Sequence, residues 1–121
     1  MTLDTNILIA YLNGEPGVIN RLSQWKQEGR AMFVSSISVA EVLALPDLSP
    51  SQEEVILQFL RHFFSVPFDD NLAQTAALFS RRYGLKLPDA AIAATAVHRY
   101  TPLVSRDRLF RRVKEMTLIE I

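Results

Sequence analysis

The chain has 121 residues, 49% of them apolar, with 13 basic and 13 acidic side chains, two His and no Cys. That length fits one domain, residues 1–121, burying roughly two-thirds of its unfolded surface without disulfide or metal staples. Zero Cys excludes thiol chemistry and Cys-ligated metal sites, and a net charge of zero argues against wrapping nucleic acid by bulk charge alone.

Met1–Leu3 reads as a very short extended start, followed by a helix over Thr5–Leu12 with Ile7, Leu8, Tyr11 and Leu12 on one face. Pro16 opens a second helix, whose core face is Val18, Ile19, Leu22 and Trp25 and whose end is marked by Gly29. Ala31–Ser35 is β-like, and Ile37–Leu45 is a short helix stopped by Pro46. Ser49, Pro50 and Gln52 form a helix start, with Val55, Ile56, Phe59, Leu60 and Phe63 facing the core. Val66–Phe68 is the next expected strand, and Asp69 or Asp70 caps a helix that carries Leu72, Ala76, Phe79 and Tyr83 and ends at Gly84. Pro88–Tyr100 is an Ala-rich helix whose small side chains suit close packing; Leu103–Ser105 and Thr117–Ile121 complete about five strands. No apolar run approaches the roughly 20 residues of a membrane span, and Asp4 interrupts any signal-peptide pattern, so a cytoplasmic location is expected.

Short strands alternating with helices define the α/β class: a central, mainly parallel sheet between two helical layers. Ligands of such sheets sit outside the carboxyl ends of the strands. Asp4 follows the first strand, Asp107 follows Leu103–Ser105, and Glu41 lies in the helix after the second strand. Asp89 reaches the same edge only if the Gly84–Pro88 break starts a new helix there. Singly, each acid has an ordinary reading: Asp4 as an N-cap, Asp89 as a charge at a helix N-terminus, Asp107 as a turn residue between two arginines. Glu41 fits that reading least, because Ile37, Ser38, Ala44 and Leu45 surround it on the helix, which predicts a partly buried carboxylate. Four carboxylates at one sheet edge repel one another unless a cation neutralises them, and all-oxygen ligation favours Mg²⁺ or Mn²⁺ over zinc.

Four blocks, LDTNILIAYL at Leu3–Leu12, SSISVAEVLAL at Ser35–Leu45, LKLPDAAIAATAV at Leu85–Val97 and LVSRDRLF at Leu103–Phe110, together resemble a PIN-domain ribonuclease of the VapC toxin type. They stand in the family's order and cover nearly the whole chain. Only three residues precede Asp4, so the first strand is shorter than is usual in the family. The resemblance implies a PIN-like α/β/α sandwich and an endoribonuclease that uses a metal-activated water. It implies a catalytic, metal-holding set of Asp4, Glu41, Asp89 and Asp107, supported by Asn6, Ser105 and Thr5. It also implies an antitoxin partner and a homodimer. Arg106, Arg108, Arg111, Arg112 and Lys114 follow Asp107 and are candidates for RNA phosphate contacts.

His62, next to Phe63, and His98, after Ala94, read as structural and not as a paired acid and base. A phospho-receiver domain would need paired acids after strand one and a Lys after a late strand, which this chain lacks. The alternative function is a catalytically inactive PIN-like module that binds RNA or protein.

Overall fold

The computed structural model describes residues 1–121. The elements in chain order are β1 (Thr2–Leu3), α1 (Thr5–Leu12), α2 (Pro16–Gln27), β2 (Phe33–Ser35), α3 (Ser36–Leu43) and α4 (Pro50–Leu60). There follow β3 (Phe64–Val66), α5 (Asp70–Tyr83), α6 (Leu87–His98), β4 (Leu103–Ser105), a 3-10 helix (Arg108–Arg112) and β5 (Leu118–Glu120). The strands form one sheet in the order β3-β2-β1-β4-β5, and every pairing is parallel. The chain thus builds outward from β1 to β3 on one side and then returns to lay β4 on the other. That reversal makes the carboxyl ends of β1 and β4 the topological switch point, where open α/β sheets bind ligands.

Local chemistry starts and stops the helices where the sequence places the signals. Ser49 and Gln52 form a reciprocal capping box around Pro50, and Asp69 is the cap of α5, accepting from Leu72 N–H at 3.0 Å. Gly84 closes α5 at φ 67°, a left-handed conformation that a Cβ would penalise. The chain can therefore reverse at once into α6, and Thr75 of α5 meets His98 of α6 at 2.7 Å across the resulting hairpin.

Register divides the core in two. Leu3, Val34 and Val104 lie abreast on β1, β2 and β4 and share a cluster with Ile7, Leu8, Trp25 and Ile56 of α1, α2 and α4. Leu103 turns to the opposite face and packs with Phe79, Ile92 and Phe110. Helix α6 is buried at every position from Ala90 to Ala96. A helix apolar on all sides belongs in an interior, and its five buried alanines let α5 and the sheet approach from both sides. Its one polar member there, Thr95, donates to the Ala91 carbonyl at 2.8 Å and leaves no buried group unpaired.

Three expectations shift. The third strand is Phe64–Val66, two residues earlier than the apolar triplet Val66–Phe68 suggests. As an edge strand it leaves Phe64 63% exposed, so hydrophobicity does not mark it. Phe68 instead packs into the second core, with its N–H donating to Ser36 Oγ at 3.0 Å. Val55, expected in the core, is 61% exposed. The Ala-rich helix ends at His98, and Tyr100 takes a left-handed turn at φ 55°.

The tightness of α6 is testable. Ala94→Leu should cost about 1–3 kcal/mol in urea unfolding through overpacking. A change indistinguishable from wild type would mean that α6 has room beside it.

Candidate functional site

Asp4 is the first residue beyond β1. Its N–H still belongs to the sheet, donating to the Val104 carbonyl at 3.0 Å, while its side chain caps α1 by accepting from Thr5 N–H at 2.7 Å. The capping role and a site role coexist, because the carboxyl group is also drawn inward: Asp4 is only 5% exposed. Its second oxygen accepts from Ser105 Oγ at 2.6 Å. The fully buried Ser105 hydroxyl in turn accepts from Asn6 Nδ2 at 3.3 Å and from Asp107 N–H at 3.0 Å. One hydroxyl therefore joins the ends of β1 and β4. Asp107 caps the 3-10 helix through Leu109 N–H at 2.9 Å.

The other two acids arrive from helices. The α5–α6 hairpin returns the first turn of α6 to the same edge, and Asp89 there feels the charges of Asp107 and Glu41 and adds its own to Asp4. Thr5 Oγ1 lies 2.7 Å from Glu41 Oε1 and 3.0 Å from the buried Ser38 hydroxyl, which ties α3 to α1. Ser38 was not singled out from sequence; its one signal is a place one helical turn before the buried Val42.

Electrostatics follow from this geometry. Burial pushes the Asp4 carboxyl up from its usual 3.8 to about 6; the hydrogen bonds from Ser105 and Thr5 oppose that, while Asp89 and Glu41 reinforce it. Asp89 is also raised, first by desolvation and then by Asp107 and Glu41, with Lys86 acting in the opposite direction. No cation is paired with any of the four acids: the ion pairs are Arg30–Glu28, Arg82–Glu115, Arg106–Glu15 and Arg111–Glu120.

Some expectations need correction here. Glu41 is exposed, not partly buried. The alanines beside it, Ala40 and Ala44, are exposed as well; alanine is common on helix surfaces and is a weak marker of burial. The acids share one field but no three acidic or His side chains converge tightly enough to enclose an ion. Of the basic candidates, Arg106 is held by Glu15, Arg111 by both oxygens of Glu120 at 3.0 and 2.9 Å, and Arg112 donates to the Tyr83 carbonyl at 3.2 Å. Arg108 is exposed and has no side-chain hydrogen bond or ion pair to hold it. His62 sits 3.1 Å from the Phe59 carbonyl and His98 is joined to Thr75, so the two do not form a pair.

A parallel sheet of this order, with an acid-lined switch point, is the arrangement of a PIN-type α/β/α domain. The chain matches the PIN domain family over residues 1–116, and it belongs to that family. Its structure is similar to a toxin–antitoxin complex from Klebsiella pneumoniae, with a TM-score of 0.84 at 27% identity, covering 98% of this chain and 94% of that one. It is also similar to FitAcB from Neisseria gonorrhoeae, with a TM-score of 0.74 at 26% identity over 98% of this chain and 95% of that one. VapBC2 from Rickettsia felis, bound to a DNA fragment from its promoter, has a TM-score of 0.81 at 23% identity, a likeness of fold alone that covers 98% of this chain and 96% of that one. No curated protein sequence matches the chain. No helix is long and apolar enough to cross a membrane.

The raised Asp4 carries a signed consequence. Its folded value lies above the unfolded one, so the fold holds that proton more tightly and loses stability as pH rises from about 4 through about 6. At about 1.4 kcal/mol per pKa unit, the loss at neutral pH is on the order of 3 kcal/mol. Asp4→Asn keeps an acceptor for Thr5 and removes the charge. In chelator it should melt higher than wild type at pH 7.5 and equally at pH 4; equal melting at both would mean that Asp4 is not strained when ionised.

Proposed function

We propose that the protein is a divalent-metal-dependent endoribonuclease, the toxin component of a type II toxin–antitoxin pair, acting in the cytoplasm as one PIN-like domain of residues 1–121. The observation that carries the reading is the shared field of Asp4, Asp89, Asp107 and Glu41 at the β1/β4 switch point, with no cation ion-paired to any of them. Membership of the PIN family supports phosphodiester hydrolysis. The likeness to the Klebsiella pneumoniae toxin–antitoxin complex supports the cellular role and an antitoxin as partner. A homodimer belongs to the same proposal.

The donor set suits Mg²⁺ or Mn²⁺: carboxylate oxygens, no Cys, no His and no protein cation ion-paired with any of the four acids. Because the acids stand apart, the fit is to an ion that keeps several of its own waters, as Mg²⁺ does. Such an ion, when bound, supplies Lewis acidity toward water and the phosphodiester. The side chains divide the remaining work. Ser105 and the Thr5 N–H fix both oxygens of Asp4 and leave each a free lone pair. Asp89 has no hydrogen-bonded partner competing for its oxygens. Asp107 commits one oxygen to Leu109 N–H, and Thr5 steadies Glu41 toward the cleft. Asn6 and Ser105 hold the carboxylates in place. Arg108, free of internal pairing, is the first choice for an RNA phosphate contact; Arg111 and Arg112 are already partly engaged, by Glu120 and by the Tyr83 carbonyl.

Purified protein free of antitoxin should cleave RNA in Mg²⁺ or Mn²⁺ and not in chelator, with Asp89→Asn and Glu41→Gln each slower by about a hundred-fold or more. RNA bound equally well in chelator, with no cleavage by wild type, would favour a binding-only module. The metal has its own readout. Mn²⁺ at a hundred times its Kd should stabilise the wild type by about 2.7 kcal/mol, and the gain should shrink in Asp89→Asn. No rise in melting temperature at millimolar metal would remove the shared site.

A further inference from the structure

Arg106 stands between Ser105 and Asp107, and an exposed arginine beside an acidic nuclease site invites assignment to RNA phosphate. All three of its guanidinium nitrogens are already engaged within the protein. Nη1 donates to Glu15 at 3.2 Å, Nη2 donates to the other oxygen of the same carboxylate, and Nε donates to the Ile121 carbonyl at 3.2 Å. Glu15 is the N-cap residue of α2 but makes no side-chain cap there, and its backbone N–H is anchored to the Ala10 carbonyl at 3.1 Å. Its carboxylate is thus directed at Arg106 and not at its own helix.

We infer that Glu15, through Arg106, is a positioning residue for the acidic site, holding the Ser105–Asp107 turn against the start of α2 and the residue that follows β5. This rests on the nuclease reading above. The turn has few other holds. The Arg106 N–H donates to Asn6 Oδ1 at 3.4 Å and the Asp107 N–H to Ser105 Oγ at 3.0 Å. Those two acceptors are the side chains that also reach Asp4, since Asn6 Nδ2 donates to Ser105 Oγ and Ser105 Oγ to Asp4 Oδ2. Displacing Arg106 therefore moves the hydroxyl on which Asp4 and Asp107 both depend. An isolated exposed ion pair contributes little. A planar fork that joins three segments is different, because its geometry is rigid and a lysine cannot reproduce it.

The test uses the whole chain in four forms: wild type, Glu15→Gln, Arg106→Lys and Arg106→Gln. Amide hydrogen exchange, read in chelator, should quicken at Arg106 and Asp107 by about five-fold in all three variants, the weight of an ion pair at the upper end of the exposed range. Against total RNA with Mn²⁺, kcat should fall by a similar factor while KM stays within about two-fold. Arg106→Lys is the discriminating form: it keeps the charge a phosphate would need but loses the fork. If Arg106→Lys behaves as wild type, or if KM alone rises in Arg106→Gln, or if Glu15→Gln lowers KM by freeing the arginine, Arg106 is a phosphate contact and the inference is wrong. Unchanged exchange in Glu15→Gln overturns it independently of any activity. If the wild type itself cleaves nothing, the nuclease reading fails, while exchange still decides whether the clamp exists.

Discussion

A carboxylate taken out of water at the end of the central strand is the constraint around which this molecule is arranged. Asp4 is 5% exposed, and its ionised form receives only two hydrogen bonds in compensation, from Ser105 and from Thr5 N–H. Three further acids lie within its field or that of Asp89, and no side chain of opposite charge is paired with any of them. Such a site is held together by packing elsewhere. The two cores on either face of the sheet supply the free energy that lets β1 deliver an acid to a place where it repels its neighbours.

The parallel topology explains why these acids share one field. With β1 between β2 and β4 and every strand running the same way, the residues that follow β1 and β4 emerge side by side. Leu3 is opposite Val104, so the next pair is Asp4 and Ser105, and their hydrogen bond is a continuation of the sheet register. Asp89 cannot arrive that way because its helix does not follow a strand. It depends on the immediate reversal at Gly84 and on alanines small enough to let α6 lie against both the sheet and α5. The packing of α6 and the charge distribution of the site are thus one design problem, in which a bulkier core residue would move a carboxylate.

Several side chains were legible and several were not. Caps at Ser49 and Asp69 and the closing Gly84 are local chemistry, set by hydrogen bonds within a few residues, and they stand where the sequence marks them. Edge strand β3 is not local: Phe64–Val66 is a strand because β2 pairs with it, while the more apolar Phe68 serves the second core. Glu41 shows the limit of reading burial from neighbours, since an alanine one turn away, Ala44, can face solvent as readily as the interior. The basic run after Asp107 resolves into unlike members once partners at a distance are known. Glu15 is 91 residues away from Arg106 in sequence, and no local pattern announces the pair.

The sequence by itself determined the α/β class, the order of the helices, their caps, and the four short blocks whose acids mark the PIN family, because each of these is encoded in periodicity, turn chemistry or residues a few positions apart. Tertiary structure decided the rest. Which acid is desolvated, which hydroxyl joins β1 to β4 and which arginine is already occupied depend on strand register and on contacts spanning about a hundred residues. The physical reason is that charge and hydrogen-bond energies are set by distance and burial in space, and a linear pattern carries neither until the sheet has closed.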